Sequence, residues 1–340
     1  MRILFAPDKF AGTLTAVEAA AALIDGWRDV APSDELVARP MSDGGPGFLD
    51  AIAAATGAEP FLVATTGPGG APVTAPILVV PGEVPTAYLE AATCCGLHLA
   101  TEPRRPMEAT SGGLVALIEA ALATGAEQIV VGVGGTASTD GGRPVVEALH
   151  GVIPGGLDLV VATDVESPLL GAAGAARSFG PQKGATEHEV PALEDRLTAW
   201  AASGAVDPNL AGAGAGGGLG YGLMRLGARR VSGARVVADA IGLDAQAVAS
   251  DLVVTGEGAL DFSSLNGKVV SHVAERAQLA ARPCVAVVGR NSVGRREASA
   301  AGIDEIYALI EAVGEAAALG HPAAAVRRVA AGVASDWSRQ

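Results

Sequence analysis

The chain has 340 residues, a formal net charge of −14, 49% hydrophobic residues and only 4% aromatic ones. This length favours two domains over one, and a composition rich in glycine and alanine is typical of an α/β protein with small packed side chains. The negative charge argues against nucleic acid as a partner, because such binding depends on phosphate neutralisation, and no apolar run reaches the roughly 18–20 residues that span a bilayer.

The first sixty residues predict alternating strands and helices. An apolar strand at Arg2–Ala6 precedes a helix that runs to Trp27, with Thr13 as its candidate N-cap. A second strand, Glu35–Arg39, leads through an Asp-Gly-Gly turn into a helix at Phe48–Thr56. This order is typical of an open parallel sheet, whose ligands lie beyond the carboxyl ends of the strands.

The middle of the chain has a different pattern. Two β-rich runs, Phe61–Thr65 and Val73–Val80, flank a Gly-Pro-Gly-Gly sequence, which predicts a hairpin with a slightly long loop. Further strands are predicted at Thr86–Glu90, Gln128–Val133 and Asp158–Thr163, the second of them all apolar and buried. A helix is predicted near Leu114–Thr124 and an amphipathic helix at about Val190–Ala202.

Beyond Val236 the alternation of strands and helices returns. A short strand is predicted at Leu252–Thr255, ending in Gly-Glu-Gly at 256–258, and a helix at Lys268–Leu279. We therefore expect an α/β fold, in which a doubly wound (flavodoxin-like) parallel-sheet domain of residues 1–59 and 236–340 carries an inserted mixed-sheet α/β domain of residues 60–235.

The cysteines and the N-terminus favour a cytoplasmic protein. Cys94, Cys95 and Cys284 are odd in number and show no paired spacing, which fits a reducing compartment better than a disulfide framework. The adjacent pair is either redox-active or, as its apolar surroundings favour, two small buried hydrophobes. The apolar stretch behind Met1 is too short for a signal peptide. The scattered histidines indicate no zinc site.

The lysines are few and lie in similar surroundings. The chain has 23 basic residues, of which only Lys9, Lys183 and Lys268 are lysines, each in a loop marked by glycine or proline. A compositional bias towards arginine is the simpler explanation. However, an ammonium is a compact, rotatable charge that suits phosphate oxygens, so the placement favours an anionic, phosphorylated ligand.

A glycine-rich run near the middle of the chain matches a dinucleotide-binding pattern only in its spacing. Gly212–Gly217 reads G-x-G-x-x-G, but an alanine-rich helix precedes it where the dinucleotide motif needs a strand. The run is either a phosphate-facing loop or a flexible linker. Gly267-Lys268 lacks the other residues of a P-loop, and protein-kinase signatures are absent.

Two Asp-Gly-Gly turns carry the strongest chemical signal. Asp43 and Asp140 each open such a turn between a predicted strand and a helix, and Asp8 and Asp164 stand at two more strand ends. A plain capped turn would explain one copy. Carboxylates gathered beside lysines are what phosphoryl transfer uses, since they supply metal ligands and a base while the cations offset the moving charge.

The ordered set of motifs resembles the bacterial glycerate kinase family. The matching segments cover residues 1 to about 290 in the family's order, and together they are far more specific than any one alone. They are ILFAPDKF at 3–10, PMSDGGPG at 40–47, RRPMEATS at 104–111, VGVGGTASTDGG at 131–142, ATDVESPL at 162–169, GPQKGAT at 180–186, GAGGGLGYG at 214–222 and VTGEGALD at 254–261.

The resemblance implies a two-domain α/β kinase that uses ATP and Mg²⁺ to phosphorylate D-glycerate to 2- or 3-phosphoglycerate. It implies three groups of site residues. The catalytic candidates are Asp43, Asp140, Asp164 and Lys183, any one of the aspartates being the base, with Asp43 and Asp164 as metal ligands. The candidates for substrate and phosphate binding are Asp8, Lys9, Gly44, Gly45, Ser111 and Lys268. Those for nucleotide binding are Gly134, Gly135, Thr136, Gly141, Gly214, Gly216, Gly217 and Glu257.

The chain departs from the family's pattern within several motif loops. The unexpected residues are Ala11, Pro46, Phe48, Gly112, Thr139, Arg143, Pro144, Ser263 and Ser264. They leave two alternatives open besides a glycerate kinase: a relative that acts on another small hydroxy acid or polyol, and a non-catalytic metabolite-binding protein. In each case the expected partner is a small molecule, and the oligomeric state stays open, a homodimer included.

Overall fold

The computed structural model describes residues 1–265 and 267–338. They divide into two compact units. The first contains Met1–Asp43, Asp50–Gly57 and the chain from Ala234 onward, and the second contains Gly44–Leu49 and Ala58–Gly233. The segment Gly44–Leu49 therefore belongs to the second unit, whereas the sequence placed it in the first.

The strands in chain order are β1 (Arg2–Pro7), β2 (Glu35–Ala38), β3 (Phe61–Thr66), β4 (Pro72–Val80), β5 (Thr86–Glu90), β6 (Gln128–Gly132), β7 (Asp158–Ala162), β8 (Arg229–Val231), β9 (Leu252–Leu260), β10 (Cys284–Asn291) and β11 (Glu305–Ala308). The helices are α1 (Ala16–Arg28), α2 (Phe48–Thr56), α3 (Ala92–Cys95), α4 (Leu114–Ala123), α5 (Arg143–Leu149), α6 (Ala175–Phe179), α7 (Glu189–Ala202), α8 (Ala215–Arg225), α9 (Gly233–Ala240), α10 (Leu243–Ala249), α11 (Val269–Leu279), α12 (Arg295–Ala300), α13 (Leu309–Val313), α14 (Glu315–Gly320) and α15 (Pro322–Trp337).

The first unit is built on a parallel sheet. Its described residues form five strands in the order β11-β10-β9-β1-β2, all paired in parallel. Ile3 through Ala6 of β1 are fully buried, as expected for a strand covered on both faces of such a sheet. Helix α1 begins two residues later than a Thr13 cap would place it, because Thr15 caps it in a capping box with Glu18.

Strand β9 is longer than the sequence indicated. Gly256 and Glu257, which lie beyond the predicted end of the strand, pair with Val287 and Val288 of β10. A side chain at position 256 would place its Cβ 2.0 Å from the carbonyl oxygen of Val287, so glycine here permits close strand approach rather than a turn. The predicted end of the strand at Thr255 was wrong, and Glu257 projects from a strand.

The second unit is built on a mixed sheet. In the part of the chain that the structure describes, its six strands run in the order β3-β4-β5-β6-β7-β8. The predicted hairpin is present as the antiparallel pair β3 and β4, and the strands from β5 to β8 are parallel. Together the two sheets confirm the predicted α/β class. The short strand β8 was missed, because two of its three residues are arginines.

The adjacent cysteines lie in the core of the second unit. Cys94 and Cys95 are both fully buried, with 3.4 Å between their sulfur atoms. The contact with Cys94, together with burial, raises the pKa of the Cys95 thiol well above its ordinary value, so the reactive thiolate is disfavoured. These features match the reading of small buried hydrophobes. Across residues 1–265 and 267–338, no helix combines the length and apolarity needed to cross a membrane.

Candidate active site

A buried polar loop follows strand β6 in the second unit. Thr136, Ser138 and Thr139 are each at most 3% exposed, although they carry hydroxyl groups. The hydroxyl of Thr136 has a lysine partner, described below. By contrast, Ser138 Oγ and Thr139 Oγ1 are buried and have no hydrogen-bond partner among the described residues. Buried hydroxyls without partners are costly, so the loop is suited to a ligand that would bond to them.

Asp140 anchors the end of this loop. Its Oδ2 accepts hydrogen bonds from the backbone nitrogen (2.7 Å) and the hydroxyl (2.9 Å) of Ser111, and its Oδ1 accepts one from the backbone nitrogen of Gly142 (3.1 Å). Burial raises the pKa of the Asp140 carboxyl, and these hydrogen bonds oppose that rise. Both oxygens are thus engaged in holding the Asp-Gly-Gly turn against Ser111.

Lys183, from another segment of the chain, places its side-chain ammonium against this loop. It ends a short 3₁₀ turn, Pro181–Lys183, and is only 4% exposed. Its ammonium donates to the hydroxyl of Thr136 (3.2 Å) and to the carbonyl oxygen of Ser138. Burial lowers the pKa of Lys183 from 10.5 to about 7, and the charge of Asp140 limits the fall. A buried lysine with a lowered pKa is typical of functional sites.

The lowered pKa of Lys183 has a measurable effect on stability. Between pH 7 and 10.5 the unfolded lysine holds a proton that the folded one has lost, so its contribution to the free energy of unfolding rises with pH in that window. We expect wild type to gain stability over Lys183→Met from pH 7 to pH 9 in urea unfolding. A difference between the two proteins that stays constant with pH would contradict the lowered pKa.

The glycine-rich run packs directly on Lys183. Gly217 has a φ of 72°, and a Cβ at this position would lie 2.6 Å from Lys183 Nζ and 2.0 Å from the carbonyl oxygen of Ser138. Gly214 and Gly217 are buried, and Gly216 lies against the carbonyl of Val133. Of the two sequence interpretations, a flexible linker is therefore wrong. The glycines allow a close approach of backbone to the buried cation.

Asp164 and the glycines of the first Asp-Gly-Gly turn, all predicted site residues, lie at the ends of β6 and β7. Asp164 follows β7 and accepts a hydrogen bond from the hydroxyl of Ser232 at 2.6 Å. Gly44 and Gly45 pack closely here, since a Cβ on Gly44 would meet the carbonyl of Ala162 at 2.5 Å and one on Gly134 would meet the Cα of Gly45 at 2.6 Å. The first Asp-Gly-Gly turn thus places its glycines at this edge of the second unit's sheet.

The first unit holds a separate cluster of charged groups. Lys9 Nζ lies 2.9 Å from Asp43 Oδ1, and Asp8 Oδ1 accepts a hydrogen bond from the backbone nitrogen of Lys9. Burial, followed by the charge of Asp43, raises the pKa of Asp8 to about 7. Burial also raises the pKa of Glu257 on β9. The structure therefore brings four predicted site residues of this unit together.

Lys268 lies at the margin of the first unit's cluster. It is exposed and donates to the hydroxyl of Ser263 at 2.6 Å, while Asp261 accepts from the backbone and the hydroxyl of Ser263. Its charge acts on Glu257 at longer range. Within the described ranges, 1–265 and 267–338, no three His, Cys, Asp or Glu side chains are arranged to hold a metal ion by themselves.

The unusual residues of the motif loops have different surroundings. Phe48 is fully buried and packs edge to face on Tyr88, with 6.0 Å between ring centroids, so it belongs to the core. Pro46 is exposed, and its ring is the nearest neighbour of a Cβ built on Gly135. Ala11 is also exposed. Thr139, seen in the sequence only as a departure, emerges as one of the two buried hydroxyls without a partner.

Comparison with known proteins places the chain in a family. The sequence model of the Glycerate kinase family matches residues 3–153 and 151–338. An uncharacterized protein of Mycobacterium bovis is 41% identical, over 92% of this chain and 85% of its own. Glycerate 2-kinase of Escherichia coli is 35% identical over 92% of each chain. A crystal structure assigned to glycerate kinase 2 of Salmonella typhimurium LT2 superposes with a TM-score of 0.81 at 33% identity, over 99% of this chain and 98% of the other. These matches confirm the resemblance drawn from the ordered motifs, and the chain belongs to the glycerate kinase family.

Proposed function

We propose that this protein transfers the γ-phosphoryl group of ATP to a hydroxyl group of glycerate. The observation that carries the proposal is the buried ammonium of Lys183, bonded to the carbonyl of Ser138 in a loop where the hydroxyls of Ser138 and Thr139 have no partner among the described residues. The product is 2- or 3-phosphoglycerate. The name of the Escherichia coli relative, glycerate 2-kinase, favours the 2-position.

Lys183 is proposed to offset the charge of the transferred phosphoryl group. Phosphoryl transfer depends mainly on positioning and on electrostatic stabilisation, which a cation supplies most strongly where water is excluded. Lys183 is buried, and the Thr136 hydroxyl and the Ser138 carbonyl fix its ammonium. The hydroxyls of Ser138 and Thr139 would donate to the same anionic oxygens.

The aspartates are proposed to divide the roles of base and metal ligand. Asp140 is assigned to positioning, because both of its oxygens already accept hydrogen bonds from Ser111 and Gly142. Asp43 and Asp164 remain as base and Mg²⁺ ligand. Because Mg²⁺ is commonly held by one or two carboxylates together with phosphate oxygens, a cage made only of protein ligands is not required.

The chemical step is a simple displacement. When bound, ATP supplies the phosphoryl group and Mg²⁺ offsets part of its charge. The hydroxyl oxygen of glycerate forms a bond to the γ-phosphorus, the bond from that phosphorus to the bridging oxygen breaks, and the hydroxyl proton passes to the aspartate base. Lys9 and Lys268 are proposed to bind the carboxylate of glycerate, with Asp8 orienting its hydroxyl groups.

Replacing Asp43 or Asp164 by asparagine should separate the base from the metal ligand. We expect both variants to lose activity, and the kcat of the metal-ligand variant to recover partly as Mg²⁺ is raised, because its defect is weak metal binding. The base variant should show no recovery. Mg²⁺ titration of kcat in both variants is the measurement, and full activity in either variant would remove that residue from the proposed roles.

A coupled assay of ADP release tests the proposed function. The acceptors to compare are D-glycerate, L-glycerate, lactate and glycerol, each with ATP and Mg²⁺. We expect D-glycerate to give the highest kcat/KM. A higher value for another acceptor would support the alternative relative that acts on a different hydroxy acid or polyol. No release with any acceptor, from a folded protein, would support the non-catalytic alternative.

Nucleotide binding should also stabilise the folded protein. A ligand present at 100 times its Kd adds about 2.7 kcal/mol by mass action when it binds only the native state. We expect ATP with Mg²⁺ to raise the Tm in scanning calorimetry, and Lys183→Met to reduce this rise. An unchanged Tm at millimolar ATP would count against two hypotheses: a glycerate kinase, and a related kinase that phosphorylates another hydroxy acid or polyol.

A further inference from the structure

A cavity of about 510 Å³ lies in the second unit, next to the loop that carries the buried hydroxyls. This volume falls within the roughly 300–1,000 Å³ of typical small-molecule sites. The residues that matter for its chemistry are Thr139, Asp140, Arg143, Arg196, Leu197 and Trp200, all in its wall. The cavity therefore combines an aromatic ring, an aliphatic surface, charged groups and a hydroxyl.

The indole ring of Trp200 is held rigidly in this wall. Its Nε1 donates a hydrogen bond to the carbonyl oxygen of Gly141 at 3.0 Å, which ties the ring to the second Asp-Gly-Gly turn. The guanidinium of Arg225 stacks on the ring, 3.8 Å from its centroid, but Arg225 does not line the cavity. Trp200 thus belongs to the cavity wall while the Arg225 guanidinium supports its ring, which suits a stacking surface.

The polar groups of the cavity point to a ligand with hydrogen-bonding atoms. Thr139 lines the cavity, and its buried hydroxyl has no partner in the described chain. Arg143 lies 5.7 Å from the Trp200 centroid and pairs with Glu147 at 2.7 Å. Arg196 donates to the carbonyl of Met107, and no described carboxylate lies within ion-pair distance of it. The wall is thus neither purely apolar nor simply an anion site.

We propose that this cavity binds the base and ribose of the nucleotide, with the adenine ring stacked on Trp200. One observation supports placing the phosphates next to it. The loop that forms its Thr139–Asp140 wall also supplies, one residue earlier, the Ser138 carbonyl that holds the Lys183 ammonium. A ligand that stacks on Trp200 and reaches Lys183 must join a planar ring to an anionic tail. This inference rests on the proposed function and adds the position of the donor's base.

Equilibrium binding tests the inference without requiring turnover. The probes are ATP, adenosine and inorganic triphosphate, measured by calorimetry on the full chain. Since stacking of one base on an aromatic side chain is lost in Trp200→Ala, we expect about tenfold weaker binding of ATP and adenosine, and an unchanged affinity for triphosphate. Trp200→Phe should keep most of the affinity. Trp337→Ala, which removes a tryptophan from the first unit, is the matched control and should bind all three probes normally.

Each outcome bears on the inference. Unchanged adenosine affinity in Trp200→Ala, or an equal loss for triphosphate, would overturn it. If Trp200→Ala does not fold, fluorescence decides: adenosine should quench wild-type emission but not that of Trp200→Phe, and equal quenching in both proteins would overturn the inference. Trp200-dependent adenosine binding without glycerate phosphorylation would remove the proposed function and leave the inference standing. Glycerate phosphorylation with an ATP KM that Trp200→Ala leaves unchanged would support the proposed function and overturn the inference.

Discussion

Replacing Lys183 by methionine is expected to lower the kcat for phosphoryl transfer by about 10²–10³, because one electrostatic stabiliser of a transition state is worth about 2.7–4 kcal/mol. Methionine fills a similar volume in the buried site without a charge. The measurement is steady-state ADP release with D-glycerate, alongside calorimetry to show that the variant is folded. Arg177→Met, which removes an exposed cation from the neighbouring helix α6, is the control and should keep wild-type kinetics.

The same lysine should make the kcat/KM for ATP depend on pH. Its pKa is lowered to about 7, so the free enzyme loses this cation as the pH rises through neutrality, and kcat/KM for ATP should fall above that pH. Asp8, whose pKa is raised to about 7, also titrates over this range. Asp8→Asn therefore isolates the contribution of Lys183. Near-wild-type kinetics in Lys183→Met would show that the lysine only fills space.

Replacing Gly217 by alanine is the second change expected to have a large effect. Its new Cβ would meet the Ser138 carbonyl at 2.0 Å and Lys183 Nζ at 2.6 Å, so the lysine and the loop must both move. Since a misplacement of about 1 Å near reacting groups can cost about 10²-fold, we expect a loss of that order in kcat. Calorimetry should also show a lower Tm.

Gly125→Ala is the matched control for this substitution. Gly125 has a φ of 76°, close to the 72° of Gly217, but no atom lies within 4 Å of a Cβ built there. The control should show only the backbone cost of a left-handed alanine, about 1–2 kcal/mol, with unchanged kcat. Equal kinetic effects of the two substitutions would mean that Gly217 does not position Lys183.

The sequence predicted the sheets better than the side-chain contacts. Apolar runs such as Arg2–Ala6 and Gln128–Val133 can be recognised as buried strands, because parallel strands covered on both faces need continuous hydrophobic residues. Strand β9 was cut short, because a Gly-Glu-Gly sequence looks like a turn when the partner strand is unknown. Only the pairing with β10 shows that Gly256 allows close approach to Val287.

The site was predicted as a set of residues but not as an arrangement. The ordered motifs pointed to Lys183 and Asp140, yet nothing local indicates that Lys183 is buried, since its glycine-rich and proline-rich turn reads as a surface loop. Its neighbours in the fold include Gly217 and Ser138, which are distant in sequence. The stacking surface at Trp200 also depends on contacts between separate segments, here α7 and the turn at Gly141. Periodicity carries no information on such contacts.

Identification of the product by ³¹P NMR tests the central claim most directly. The folded protein would be incubated with ATP, Mg²⁺ and D-glycerate, and the reaction followed without coupling enzymes. The proposed function predicts that the γ-phosphate resonance declines in step with a new phosphomonoester resonance coupled to a proton on C2 or C3 of glycerate. An unchanged ATP spectrum, or release of inorganic phosphate alone, would contradict it.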